Sequence, residues 1–310
     1  MTVQEILNSN FTKTKKAYLL FDLGHTRTQV AQMVTSGNYG FAHNIWKKWN
    51  DQQSSQVQLS VLPFEFSFNR TFGIELEIYN ASKETLVREF AAQGITLVSE
   101  EYNYATRNHW KIVRDGSISG SNGNEIVSPI LQGMNGIDQI KKVTIALLRS
   151  NANVNKSCGF HVHFGASDFN VQDFKNLAKS HINIEKMFDS IVPDSRRANK
   201  NTYCKSLTSV LSSKAAVITQ IDRANSISDI TRLFHTRYLK LNFQSFTRQG
   251  TVEVRHHSGT VTFSKIKSWI LIMARMMEYV KQNGLITNQN AFLNESLQDY
   301  ITDRAVDLAA

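Results

Sequence analysis

The chain has 310 residues, of which 41% are hydrophobic and only three are proline. This composition predicts one sizeable folded domain plus a smaller one, and it excludes a disordered or Pro-rich chain. The formal charge of +9 favours an anionic partner, and nucleic acid, nucleotide phosphates and an acidic substrate are all candidates. The two cysteines exclude a disulfide framework. Without a signal-like N-terminus or an apolar run of about 18 residues, we expect a soluble cytoplasmic protein.

Three short helices are predicted over residues 12–49, and together they resemble a helix-turn-helix. Thr26 is placed to cap the second helix, and the segment TSGNYG predicts a turn before the third. Residues 1–50 carry six Lys/Arg against two acids, which fits a DNA-binding module. A structural cap or a protein-docking module is the alternative, because no base-reading residues are evident.

The sequence predicts a helical unit over residues 1–50, a polar Gln/Ser-rich linker over residues 51–63 and a larger domain over residues 64–310. In the larger domain, runs with strand periodicity are 71–78, 109–114, 124–128, 159–165, 237–243 and 251–257. Helical stretches are 82–93, 135–150, 171–190, 206–221 and 264–283. Strands and helices without a regular βαβ rhythm predict an α+β fold, with a largely antiparallel sheet and helices on its outer face.

Carboxylate, imidazole and guanidinium side chains alternate along several of these strands. They are Glu75 and Glu77, Asp115 and Glu125, His161 and His163, and Glu253 and Arg255. A solvated sheet face explains any one pair, but carboxylates from several strands of one sheet would repel each other unless a cation lay among them. Oxygen ligands with one imidazole suit Mg²⁺ or Mn²⁺ better than zinc. Arg255 suits a phosphate, so the set points to phosphoryl transfer.

Five sequence blocks, in this order, resemble those of the amidoligase family, which belongs with the carboxylate–amine ligases of the glutamine synthetase and glutamate–cysteine ligase superfamily. The blocks are FGIELE, DGSI…EIVSP, CGFHVHFG, RYLKLNF and TVEVRHHSGT, and they span roughly residues 70 to 280. The resemblance implies a curved, mainly antiparallel sheet that forms a glutamine-synthetase-like funnel, with ATP and Mg²⁺ (or Mn²⁺) inside. The N-terminal helices lie outside it.

The resemblance also implies roles for individual residues. The implied metal ligands are Glu75, Glu77, Asp115, Glu125, His161 and Glu253. Arg255 would stabilise the transferring phosphoryl group and act in catalysis together with Glu253 and Glu75. The implied nucleotide or phosphate contacts are His163, Arg255, Lys240 and Asn242, although a packing or solvent role for Lys240 and Asn242 is an equal alternative. Of the adjacent histidines 256 and 257, alternation places His257 on the face of Glu253 and Arg255.

The implied reaction joins a carboxylate to an amine. The carboxylate of an amino acid, peptide or similar substrate would attack ATP to give an acyl phosphate and ADP, and an amine would then displace phosphate. One alternative is a DNA-binding protein with a non-catalytic, nucleotide-sensing domain, in which residues 12–49 contact DNA; these residues are also a candidate contact for a protein. Another is a zinc hydrolase built on Cys158, His161 and His163. The sequence does not identify the general base, the two substrates or the oligomeric state.

Overall fold

The computed structural model describes residues 2–53 and 67–309, which fall into two compact units. Met1–Glu65 and Asn294–Ala310 form the first unit, and Phe66–Leu293 forms the second. The predicted linker lies outside the described residues from residue 54 onward. The predicted larger domain differs from this division at its end, because the C-terminal segment groups with the N-terminal helices. In the part of the chain described, no helix is long and apolar enough to cross a membrane.

The first unit is helical. Its helices are α1 (Val3–Asn8), α2 (Lys13–Asp22), α3 (Arg27–Val34), α4 (Tyr39–Gln53) and the C-terminal helix (Glu295–Ala309). Thr26 caps α3 as predicted, since its hydroxyl accepts a hydrogen bond from the Gln29 backbone N–H. The apolar faces of α1 to α4 enclose a small core of Ile6, Ala17, Leu20, Phe21, Val30, Ala31, Val34, Ala42, Ile45 and Trp49. The three helices predicted over residues 12–49 are present, within a unit that has more than three helices.

Arg27 fastens α3 to the C-terminal helix. Its side chain is buried, its Nε lies 3.2 Å from an Asp303 carboxylate oxygen, and it also pairs with Asp307. Its guanidinium lies 4.5 Å from the ring centre of Trp46. With the C-terminal helix included, the unit holds seven Lys/Arg and eight Asp/Glu. The basic charge that suggested DNA binding is therefore offset within the unit, and the positive charge of the chain belongs to the second unit.

The second unit contains one mixed sheet among its described residues. Its strands are β1 (Thr71–Ile78), β2 (Leu97–Ser99), β3 (Trp110–Arg114), β4 (Asn124–Val127), β5 (Leu131–Gln132), β6 (Gly159–Gly165), β7 (Leu241–Asn242) and β8 (Thr251–Ser258). Their order is β2-β3-β4-β1-β6-β8-β7, with β5 beside β1. Only β2 and β3 are parallel in this set. The predicted α+β class and mostly antiparallel sheet are confirmed, and the funnel stays a prediction.

The helices of the second unit are α5 (Lys83–Ala92), α6 (Gly133–Arg149), α7 (Val171–Ser190), α8 (Lys214–Arg223), α9 (Ile227–Leu233), α10 (Gln244–Gln249) and α11 (Phe263–Asn283). One face of the sheet is apolar and buried, with Ile74, Leu76, Val162, Phe164 and Val254 in its centre. The helix predicted over residues 206–221 is interrupted. A 3₁₀ turn at Leu207–Val210 precedes α8, because Ser206 and Ser213 cap separate segments.

A β-bulge changes the register between β6 and β8. Phe160 pairs with His257 and Val162 pairs with Val254, so two residues of β8 lie opposite the single residue His161. The extra residue turns His257 into the core, where its ring lies 5.0 Å from that of Trp269 and 5.6 Å from that of Phe160. The prediction that His257 shares the face of Glu253 was therefore wrong, since strict alternation does not survive a bulge.

Candidate active site

Cross-strand pairing brings the predicted polar residues onto one face of the sheet. Glu75 of β1 lies opposite His161 of β6, and Glu77 lies opposite Glu125 of β4. His163 lies opposite Glu253 of β8. Residues that face each other across antiparallel strands have Cβ atoms about 5 Å apart. Four strands thus deliver their polar side chains to one place.

The two histidines contact the carboxylates on both neighbouring strands. His161 Nδ1 lies 3.0 Å from a Glu75 oxygen and 3.7 Å from Glu253, and its Nε2 lies 3.8 Å from Glu77. His163 Nε2 lies 3.3 Å from Glu75, while its Nδ1 contacts the Thr251 hydroxyl at 3.0 Å. His163 Nε2 is buried and has no partner with hydrogen-bond geometry among the described residues. The contact with Glu75 at 3.3 Å is therefore an ion-pair contact with imperfect hydrogen-bond geometry.

Glu253 is held by two side chains from its own region of the sheet. Asn242 Nδ2 donates a hydrogen bond to one carboxylate oxygen at 2.6 Å. Arg255 Nη1 donates to the other at 2.5 Å, and its Nε reaches the Tyr203 carbonyl at 3.4 Å. Arg255 is the first of the two bulge residues and lies two positions after Glu253, so that its side chain also lines the cavity. The predicted E-x-R pair is thus one connected unit.

Gly159, in the block SCGFHVHFG, makes room for the site. Its backbone N–H donates to a Glu77 carboxylate oxygen at 2.5 Å. A Cβ at this position would lie 2.6 Å from His161 Nε2 and 3.4 Å from Glu77. The position needs glycine because the backbone approaches the two ligand side chains too closely for any other residue.

The carboxylates of the site have opposite pKa shifts. Burial raises the pKa of Glu125 well above its ordinary value, and the charges of Glu75, Glu77 and Asp115 add to this effect. Burial also opposes ionisation of Glu75, but hydrogen bonds from the two histidines outweigh it and lower the pKa of Glu75 well below its usual range. Glu125 therefore holds a proton more tightly than a solvated carboxyl does, and a cation would favour release of that proton.

The basic groups stabilise the charged forms of their partners. Burial opposes ionisation of Glu253, but the charges of Arg255 and His163 lower its pKa. Burial likewise disfavours a charged His163, yet the charge of Glu253 and a hydrogen bond to Glu75 raise the pKa of His163. The site thus favours a charged imidazole beside ionised carboxylates.

Two overlapping groups of side chains have the composition of a metal site. Glu75, His161 and Glu253 form one group, and Glu77, Glu125 and His161 form the other. Within each group the ligand atoms lie within 4.8 Å of one another. Carboxylate oxygens with one imidazole suit a hard divalent cation such as Mg²⁺ or Mn²⁺. The residues present therefore fit the expected metal.

Asp115, and Cys158 of the zinc alternative, lie outside both groups of candidate metal ligands. Asp115 lines the same cavity, but its Oδ1 accepts bonds from the Ser117 N–H and hydroxyl at 2.8 and 2.7 Å. Asp115 belongs to neither metal group found among the described residues. Cys158 belongs to neither group as well, and its sulfur lies 3.7 Å from Asn155 Oδ1. This arrangement gives the zinc-hydrolase hypothesis no support.

Lys240 does not reach the cavity. Its amine is fully buried and lies 2.6 Å from carboxylate oxygens of both Glu185 and Asp189 on α7. Asn242 does line the cavity. The predicted alternation over residues 237–243 fails because β7 keeps regular strand geometry for only two residues. A nucleotide contact by Lys240 has no geometric support.

The site opens into a cavity of about 1080 Å³. Several residues that line it were not singled out as site residues from the sequence. They are Tyr102, Tyr104, Lys111, Tyr203, Arg237 and Arg248. Lys111 is on β3, Arg248 is on α10 and the others lie on loops. The Lys111 amine donates to the Asn103 and Ala105 carbonyls at 2.9 and 2.8 Å, which fastens the loop that carries the first two tyrosines. Only the dense Tyr and Arg content of these segments signalled a surface for a ligand.

Fold and site together define a class of protein: an α+β domain whose sheet brings buried carboxylate, histidine and arginine side chains to one face of a large cavity. Comparison with known proteins gives a more specific assignment. The family described as "Putative amidoligase enzyme" matches residues 68–277, about two thirds of the chain. The chain therefore belongs to this amidoligase family, which confirms the resemblance seen in the sequence blocks. Among curated proteins, no relative matches.

Proposed function

We propose that the protein is an ATP- and Mg²⁺-dependent carboxylate–amine ligase that forms an amide bond through an acyl phosphate. The observation that carries the proposal is the pair of metal-ligand groups beside Arg255 in one cavity. Membership of the amidoligase family supports a ligase. The charged side chains of the two groups and Arg255 line the cavity and do not pack against the helices. A structural role therefore does not account for them.

Glu75, Glu77, Glu125, His161 and Glu253 would hold the metal, and Asp115 lies close enough to add to the negative charge. Bound Mg²⁺ would neutralise charge on the ATP phosphates and orient them. The Gly159 N–H and the Asn242 amide fix Glu77 and Glu253, respectively, before any ligand arrives. Such support holds ligand side chains in a productive geometry.

Arg255 and His163, whose protonated form Glu253 and Glu75 favour, would supply the positive charge that phosphoryl transfer needs. Arg255 gives one of its five donors to Glu253, which leaves others for a phosphoryl oxygen. His163 Nε2 lies 3.3 Å from a Glu75 oxygen on the cavity face, and in this proposal it also contacts a phosphate or nucleotide oxygen. Groups fixed in advance stabilise developing charge without reorganising during the reaction.

The reaction would proceed in two balanced steps. A substrate carboxylate oxygen attacks the γ-phosphorus of ATP, the bond to the β-phosphate oxygen breaks, and acyl phosphate and ADP form. An amine nitrogen then attacks the acyl carbon and inorganic phosphate leaves, while the amine loses a proton to a base. The cavity volume of about 1080 Å³ is at the upper end for ligand pockets, so nucleotide and substrate fit together.

The test is ADP release from Mg²⁺-ATP in the presence of mixed amino acids, peptides and amines. We expect release by the wild type, loss of at least a hundredfold in Glu253→Gln, and loss on addition of EDTA. Glu84→Gln is the matched control, because Glu84 is exposed on α5 and does not line the cavity. ADP release that survives Glu253→Gln, or that needs no carboxylate in the mixture, would contradict the proposal.

A further inference from the structure

Two arginines converge on one tyrosine in the wall of the cavity. The Arg248 guanidinium lies 5.9 Å from the Tyr104 ring centre, and the hydrogen bond with Tyr102, together with the charges of Arg237 and Arg248, lowers the pKa of the Tyr104 hydroxyl. Neither arginine forms an ion pair with a carboxylate in residues 2–53 or 67–309. Arg70 shows the contrast, since it pairs with both Asp168 and Glu278 at 2.6 Å. Arg237 and Arg248 therefore present guanidinium charge that the described residues do not neutralise.

Tyrosine rings hold these arginines in place. Tyr102 donates its hydroxyl hydrogen to Tyr104 at 3.3 Å, and their ring centres lie 5.4 Å apart. Arg237 lies 5.2 Å from the ring centre of Tyr238, which packs edge-on against Tyr203 at 5.4 Å. Tyr102 and Tyr104 are 52% and 60% exposed, so their ring faces are open to a ligand. Contacts with the rings restrict the two guanidinium groups, which lowers the entropy cost of binding an anion to their N–H donors.

The charge at this site is opposite to that of the metal-ligand groups. Those groups supply carboxylates, which need a cation and, with Arg255, attract the phosphates of a nucleotide. Arg237 and Arg248 have no carboxylate beside them to hold a metal, but their planar donors match a carboxylate directly. We propose that Arg237 and Arg248 bind a second, unreacting carboxylate of the substrate, so that the ligase acts on an acidic peptide. This inference rests on the proposed function and names its substrate class.

Binding of labelled tetraglutamate, followed by fluorescence anisotropy with Mg²⁺ and a non-hydrolysable ATP analogue present, tests the proposal. Tetraglutamine is the neutral probe. We expect the wild type to prefer tetraglutamate, and Arg237→Gln and Arg248→Gln each to weaken its binding about tenfold. Arg149→Gln should bind like the wild type, because Arg149 is exposed on α6 and lies outside the cavity.

Three results would overturn the proposal. The wild type does not bind tetraglutamate, the wild type binds tetraglutamine as tightly as tetraglutamate, or Arg237→Gln and Arg248→Gln bind tetraglutamate as tightly as the wild type does. The alternative anion is a nucleotide phosphate, and binding of a labelled ATP analogue tests it. If the two substitutions weaken nucleotide binding and leave peptide binding unchanged, the arginines serve the nucleotide phosphates and the proposal is wrong. ADP release tests the ligase function separately. If the peptide binds through these arginines and no ADP is released, only the ligase function is contradicted.

Discussion

The sheet of the second unit has buried charged groups on both faces, and the two clusters differ in how their charges are satisfied. The helix-side cluster consists of His181, Glu185, Asp189, Lys240 and His256. The cavity-face cluster consists of Glu75, Glu77, Glu125, His161, His163, Glu253 and Arg255. On the helix side, Lys240 lies 2.6 Å from both carboxylates, and His256 lies 2.8 Å from Asp189. On the cavity face, Glu125 has no cationic side chain as an ion-pair partner among the described residues.

The carboxyl pKa values show the same difference. Hydrogen bonds from His256 and Lys240 outweigh the effect of burial and lower the pKa of Asp189. Burial and three neighbouring carboxylates raise the pKa of Glu125 well above its ordinary value. A closed ion-pair cluster is typical of a structural element, whereas an excess of buried carboxylates is typical of a site that awaits a cation. The comparison separates two groups of charges that look alike in the sequence.

Breaking the helix-side cluster should have the largest effect on stability. Lys240→Met removes the cation from between Glu185 and Asp189, and we expect the free energy of unfolding to fall by about 3–5 kcal/mol. Urea denaturation measures the change, with the exposed Lys142→Met as the matched control. A loss below about 1 kcal/mol would show that the pair contributes no more than a surface ion pair.

Gly159→Ala tests whether the cavity face tolerates any change in its backbone. The added Cβ would lie 2.6 Å from His161 Nε2, so the ring or the strand must move. We expect a loss of about 1–3 kcal/mol in the free energy of unfolding, with weaker Mg²⁺ binding. Gly116→Ala is the control, since a Cβ there meets nothing within 4 Å. Equal stability and equal Mg²⁺ affinity of the two variants would count against the close-approach argument.

Acid should weaken the fold through the helix-side histidines. Burial lowers the pKa of His256 to about 4 and that of His181 to about 3. Below pH 6.5 the unfolded chain therefore binds protons that the folded protein does not, and the free energy of unfolding falls towards pH 4. The expected slope is about 1.4 kcal/mol per pH unit for each histidine. Denaturation of His181→Phe at several pH values should show a shallower slope, and an unchanged slope would refute this assignment.

Of these substitutions, Glu125→Gln should have the smallest effect on stability. Unlike Lys240→Met and Gly159→Ala, it should raise the free energy of unfolding. The wild-type carboxyl must either ionise while buried beside Glu75 and Glu77 or take up a proton, and the amide avoids both costs, so we expect a gain of about 1 kcal/mol in EDTA. With Mg²⁺ the wild type should gain stability by ligand binding, while the variant should gain less. Thermal unfolding in both conditions measures the two effects. Destabilisation of the variant in EDTA would mean that Glu125 is satisfied without a cation.

The sequence predicted strands best where polar and apolar residues alternate strictly. Thr71–Ile78 and Gly159–Gly165 have the predicted bounds, and their shared register places Glu75 opposite His161. The sequence did not predict the bulge at Arg255 and His256, because an extra residue leaves the local pattern of residue types unchanged. It also misplaced Lys240, whose charge and spacing matched a cavity residue although its partners lie on α7.

Features that depend on distant parts of the chain were harder to predict. The N-terminal helices looked basic by themselves, whereas the acids that offset Arg27 belong to the C-terminal helix, about 280 residues away. The loop with Tyr102 and Tyr104 has no periodicity, and contacts such as those of Lys111 with the Asn103 and Ala105 carbonyls hold it beside the cavity. Motif order indicated the two groups of candidate metal ligands, while the loop residues that line the cavity needed the structure.

The central claim is that the excess carboxylates of the cavity face bind a divalent cation. Isothermal titration calorimetry of Mg²⁺ into the wild type and into Glu75→Gln, each with a non-hydrolysable ATP analogue, tests it most directly. We expect saturable binding to the wild type and an affinity at least tenfold lower in Glu75→Gln, because this residue contacts both histidines and belongs to a metal group. Absence of Mg²⁺ binding by the wild type, or equal affinity in the variant, would contradict the claim.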